Sequence, residues 1–135
     1  MIILKQDHVK KILQHARSEA PKESCGILVG EWGDVKIVKE VHLCTNVDAY
    51  PIARYTIDPK EILKIMDHAN EKALEIVGFF HSHPSGGSYP SIIDSERASW
   101  SGASYIIISV PSGTISSWIW DERKGKFIEE ELKVT

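Results

Sequence analysis

The stretch that most restricts this chain is the apolar run Ile76-Val77-Gly78-Phe79-Phe80, followed at once by His81-Ser82-His83-Pro84. Such a run reads as a buried β-strand. Strand side chains alternate with a period of two, so His-x-His at the strand's C-terminal end places both imidazoles on one face, roughly 6–7 Å apart along the backbone. From there both rings can converge on one ion with little backbone distortion. Pro84 stops the strand, and Gly86 and Gly87 allow a sharp reversal. Ser91 reads as a helix N-cap, which puts Asp94 in the helix's first turn. Two histidines and one carboxylate match a catalytic zinc site with a fourth position left for water. A closed structural site has a different composition.

Taken singly, these signals are weak. A His-x-His at a strand end is often only a polar rim, and Ser-x-x-Asp before a helix is usually just a cap. Together, His81-x-His83, ten further residues beginning with Pro84, and Asp94, with Ser91 three before it, form a much rarer pattern. This pattern resembles the JAMM (MPN+) zinc metalloprotease motif. That motif also asks for a glutamate upstream of an apolar strand, and Glu23 in Pro21-Lys22-Glu23-Ser24-Cys25-Gly26-Ile27-Leu28 matches it.

The resemblance implies one Zn2+ per chain, held by His81, His83 and Asp94. It implies Glu23 as a general base that does not coordinate the metal, and Ser91 as a hydroxyl facing the oxyanion. It implies an α/β fold, a mixed central β-sheet flanked by helices in an MPN/cytidine-deaminase-like sandwich, with residues 1–135 as a single catalytic domain. The activity implied is that of a bare prokaryotic-type deubiquitinase-like isopeptidase. Such an enzyme hydrolyses the bond after the C-terminal glycine of a ubiquitin-like modifier joined to a lysine amine or a peptide. Processing of a sulfur-carrier-type precursor is the alternative within the same chemistry. Spacing alone does not bring Glu23 to the histidines, since 58 residues separate it from His81. A glutamate where a helix hands over to a strand is ordinarily an exposed carboxylate.

Two other classes fit the residues less well. A nucleobase deaminase needs His-x-Glu and Pro-Cys-x-x-Cys, and neither occurs. A metal-free MPN-type interaction module would have lost ligands that this chain retains. With 135 residues one domain is expected. Sixteen basic against 19 acidic residues, with no Lys/Arg cluster, argue against nucleic acid as a partner. No apolar run approaches the length of a membrane span. The start MIILKQDHVKK lacks the features of a signal peptide, which makes the cytoplasm the default address. The expected partners are ubiquitin-like protein conjugates, and a homodimer is allowed for.

Cys25 and Cys44 have no zinc-finger or thioredoxin-like spacing and read as free thiols, with Cys44 next to a polar loop and open to exposure. His8, His15, His42 and His68 have no ligand partner at useful sequence spacing and read as surface or satisfied histidines. Glu96, on another side of its helix from Asp94, is a weak substitute ligand.

Along the chain, Met1 to Leu4 reads as an edge strand, followed by a helix capped by Asp7 with Val9, Ile12, Leu13 and Ala16 on one face. Ser24–Val29 and Val35–Leu43 read as a hairpin, with Val35, Ile37 and Val41 as inner residues. Cys44–Arg54 reads as a surface loop; the wider stretch Cys44–Ile57 reads as mobile until substrate orders it, with Tyr50 and Tyr55 available to cover a glycine tail. Asp58-Pro59 opens a second helix with Ile62, Ile65, Met66, Ala69 and Ala73 in one stripe. Ser91–Trp100 is a third helix, and Tyr105–Val110, Thr114–Trp120 and Phe127–Val134 complete the strands.

Overall fold

The computed structural model describes residues 1–135. In chain order it contains β1 (Ile2–Leu4), α1 (Gln6–Glu19), β2 (Cys25–Trp32), β3 (Lys36–Cys44), α2 (Pro59–Glu71), β4 (Glu75–His83), α3 (Ile92–Arg97), β5 (Ser104–Ser109), β6 (Ile115–Asp121), β7 (Lys126–Glu130) and β8 (Leu132–Val134). One eight-stranded sheet runs in the order β7-β6-β5-β4-β2-β3-β1-β8. The histidine strand β4 lies inside it, antiparallel to β2 and parallel to β5. Its eight residues from Ile76 to His83 are all buried, as a strand paired on both edges and covered on both faces must be. Gly78 permits the close approach of β5, because a Cβ there would run into the Ser104 carbonyl oxygen.

Each face of the sheet carries its own core. One gathers Ile2, Leu28, Val38, Val77, Phe80 and Ile106 against Ile12 and Ala16 of α1. The other gathers Cys25, Ile27, Ile76, Phe79 and Tyr105 against Ile65 and Ala69 of α2. The sheet is mixed and flanked by helices, as expected. Only Glu131 separates β7 from β8, which occupy opposite ends of the strand order, so the sheet must curl to let one chain segment join its two edges. Glu130 at that corner is buried and accepts from Ser104 Oγ (2.6 Å), Ser117 Oγ (2.7 Å) and Lys36 Nζ (3.3 Å).

Several local readings differ from the sequence. β1 is not an edge strand, because β8 pairs with its outer side. The N-cap of α1 is Lys5, and Asp7 sits in the first turn, where its charge still favours the helix N-terminus. A register shift between Val29 and Gly30 turns Val38 inward in place of Ile37. Met66 is exposed, on the rim of its helix stripe and not within it. Cys44 is buried opposite Cys25, and both are free thiols.

Candidate metal centre

β4 delivers His81 and His83 from one strand face, and the loop after Pro84 returns the chain so that α3 presents Asp94 to both. His81 Nε2 and His83 Nε2 each lie 3.1 Å from Asp94 Oδ2 and 3.2 Å from one another. All three side chains are largely buried. These three atoms form a nearly equilateral triangle. The edge of a tetrahedron around an ion with bonds of about 2.0–2.1 Å is about 3.3 Å, so the triangle is close in size to one face of a zinc site.

The donor chemistry agrees. His83 Nδ1 lies 2.7 Å from the Gly87 carbonyl oxygen, which can only accept, so the ring proton is on Nδ1. Neutral His83 therefore turns its Nε2 lone pair toward a carboxylate oxygen and a second imidazole nitrogen. Such a convergence of lone pairs calls for a cation at its centre. Burial opposes charge on His83, but its bonds to Asp94 and Gly87 outweigh burial and raise its pKa. Burial likewise opposes ionisation of Asp94, yet His81 and His83 hold it well below the usual carboxylate range. A metal ion would compete with any proton at His83 Nε2 and leave the Nδ1 proton bonded to Gly87. The residues present thus fit a zinc ion.

Ser91 caps α3 as the sequence suggests. Its Oγ accepts the Asp94 amide at 3.0 Å, and its own amide donates to Asp94 Oδ2 at 2.9 Å. The capping box therefore also aims the carboxylate, while the Ser91 hydroxyl proton stays unengaged.

Glu23 is not the exposed helix-end carboxylate that its sequence position suggests. It is 6 % exposed, and its Oε1 is buried with no hydrogen-bond partner. Burial, then the nearby Asp94 carboxylate, pushes its pKa up to about 7. Its backbone is held on both sides: its amide donates to the Pro51 carbonyl (2.7 Å), and its carbonyl accepts from Asn46 Nδ2 (2.9 Å).

The Cys44–Arg54 stretch is tightly built, contrary to a loop that waits for substrate. Asn46 Nδ2 also donates to the Arg54 carbonyl, and Asn46 Oδ1 accepts the amides of Asp48 and Thr56. Asp48, itself nearly buried, accepts from the Tyr50 amide, Thr56 Oγ1, Arg54 and Arg97 of α3. Tyr55 stacks on the His81 ring, centroids 4.6 Å apart, and Tyr50 stays exposed beneath Arg54. Beside His81 and Asp94 opens a cavity of about 240 Å³, walled by Tyr55, Phe79, Trp100 and Phe127 among others.

The profile of prokaryotic homologs of the JAB domain matches residues 5–121. The chain belongs to the prokaryotic JAB family. This JAB domain is 41% identical over 125 residues to the desampylase of Haloferax volcanii, covering 88% of each protein. It is 33% identical over 110 residues to the CysO-cysteine peptidase of Mycobacterium tuberculosis, covering 81% of this chain and 73% of that one. Its fold is similar to the solution structure of a Desulfitobacterium hafniense protein, with a TM-score of 0.90 and 31% identity over 100% of this chain and 93% of the other. The JAMM resemblance and the mixed-sheet fold it implied are both shown by these relatives. The JAB domain has a His-His-Asp triad of metal-binding type, and no helix is long and apolar enough to cross a membrane.

Sequence reasoning missed three contributors. Asn46 and Asp48 look like ordinary loop polars, and only their multiple partners reveal their role. Ser82, between the two histidines, fastens the Glu23 segment by accepting from the Ser24 amide and hydroxyl. The Asn-Val-Asp pattern after a strand is an Asx-turn signal that pointed toward the first two; nothing local pointed to Ser82.

Proposed function

We propose that this JAB-family chain is a zinc-dependent peptidase. It hydrolyses the amide bond after the C-terminal glycine of a ubiquitin-like modifier joined to a lysine amine or a peptide. Residues 1–135 act as one catalytic domain, with the cytoplasm as its place of work. The observation that carries this reading is the buried, unpartnered Glu23 carboxyl beside the His81, His83 and Asp94 triangle. A carboxyl poised near neutral pH can both take and return a proton at working pH.

In this scheme His81, His83 and Asp94 hold the metal. When bound, zinc supplies Lewis acidity that acidifies water and polarises a carbonyl. Glu23 takes the proton of the attacking water on its carboxylate and returns it to the departing amine. Ser91 keeps its hydroxyl proton free to donate to the oxyanion while its lone pair caps α3. Tyr55 fixes the His81 ring and walls the apolar cavity, which offers room for a side chain of the modifier's tail. Every residue invoked comes from one chain, and no observation supports a homodimer. Similarity to a CysO-cysteine peptidase keeps processing of a sulfur-carrier-type precursor as the second reading.

The test compares two variants on a panel of modifier conjugates and precursors. Glu23→Gln is expected to keep zinc and fold while losing about 10²–10⁴-fold in turnover. His81→Ala is expected to lose the metal from this site. Substantial turnover by zinc-loaded Glu23→Gln would move the base elsewhere and defeat the scheme.

A further inference from the structure

A second group of ligating side chains lies outside the triad. β3 projects Glu40 and His42 from one face, as residues two apart must, and α2 lays His68 over them. His42 Nε2 lies 2.9 Å and His68 Nε2 3.0 Å from the same atom, Glu40 Oε1. The two rings meet edge to face with centroids 5.4 Å apart. One ligand atom from each residue lies within 4.8 Å of the other two. The set is two imidazoles and one carboxylate, the same composition as His81, His83 and Asp94. It shares no residue with that site, and β2 separates its strand from β4.

We infer that Glu40, His42 and His68 form a second binding site for a divalent transition-metal ion, bridging β3 and the C-terminal half of α2. Imidazole nitrogen favours zinc, cobalt, nickel and copper over magnesium or calcium. The three side chains are 22–40 % exposed, so a hydrated ion can enter and keep water on its open positions. Without an ion, the same atoms form an ordinary tie between helix and strand. Lys72 contributes to that tie through Nζ, 2.7 Å from Glu40 Oε2. It occupies the oxygen that the histidines do not share, and at 53 % exposure it can swing into solvent. Its charge repels a second cation, which makes this the weaker of the two sites. That yields a signature no mere ion-pair tie would show: removing the ammonium should tighten metal binding.

Visible absorption on titration with Co2+ and equilibrium dialysis with Zn2+ read the site directly. The wild-type chain is expected to bind two equivalents, one weaker. His81→Ala/His83→Ala should keep the weaker one, and Zn2+ should then raise its melting temperature. His68→Gln, a change on the helix surface, should lose the weaker equivalent in either background. Lys72→Gln should bind it about tenfold more tightly, the size expected for removing one charge a few ångströms from a dication at a partly solvated site. Should the double variant fail to fold, His68→Gln and Lys72→Gln in the otherwise wild-type chain decide the matter alone. A single equivalent in the wild type, or a second equivalent whose affinity ignores both substitutions, would overturn the proposal.

Discussion

The amide and the hydroxyl of Ser24 both donate to Ser82 Oγ, at 2.8 and 2.9 Å, and the Ser82 amide donates back to the Ser24 carbonyl at 3.1 Å. The residue after the proposed base is thereby bolted to the residue between the two histidines. The side chains of Ser24 and Ser82 are buried, so no water replaces a lost partner.

Ser82→Ala should therefore cost more than a single exposed hydrogen bond. It strands the amide and hydroxyl of Ser24 inside the sheet, about 1–3 kcal/mol of stability. Turnover should fall through a looser Glu23 while zinc content holds. Denaturant melts, elemental analysis and rates on one preparation check this. A variant as stable and active as wild type would show that the bolt does not matter.

Ser91→Ala separates cap from catalysis. Loss of the cap alone costs about 1 kcal/mol and leaves turnover nearly intact. Loss of an oxyanion donor lowers turnover on the order of 10²–10³-fold. The larger loss is expected, because the hydroxyl proton is free in the folded chain.

In metal-stripped protein Glu23 has a folded pKa of about 7, above its ordinary value of 4.5, because of burial and the Asp94 charge. Below pH 4.5 both folded and unfolded chains hold the proton, and stability is full. Between 4.5 and 7 the unfolded chain releases the proton first, so stability falls as pH rises. Above 7 the loss is constant, about 3 kcal/mol. Glu23→Gln should remove this slope and be the more stable form at pH 8. Equal pH profiles for the two metal-free proteins would contradict a buried, destabilised carboxylate.

Asp48→Ala should unfasten the 46–56 segment, since Asp48 gathers the Tyr50 amide, Thr56, Arg54 and Arg97. About 1–3 kcal/mol is expected, a drop of several degrees in Tm. Hydrogen exchange should quicken at Val47 and Thr56, whose amides are bonded in wild type. Unchanged exchange there would mean that Asn46 holds the segment alone.

The element order, the His81-x-His83 strand end and the Ser91 cap with Asp94 in its first turn were all legible in the sequence. Each rests on a local rule: a buried strand needs an apolar run, a two-residue repeat sets a face, and a cap must sit before its helix. Whatever depends on two distant segments was not legible. Glu23 is buried in a segment whose backbone is held by Pro51 and Asn46 and whose next residue is held by Ser82, and its raised pKa follows first from that burial. The register shift at Gly30 turned Val38 inward, and pairing with Cys25 on β2 within the core under α2 buried the Cys44 thiol that its local sequence left open to exposure. His42 stands beside Glu40 by strand alternation, but His68 lies 26 residues further on with no spacing signal; only the placement of α2 over the sheet brings it to Glu40. Local preferences act over a few residues, so the chain could name its candidate ligands. Desolvation and shared partners belong to pairs of surfaces, and only the folded sheet decides which surfaces meet.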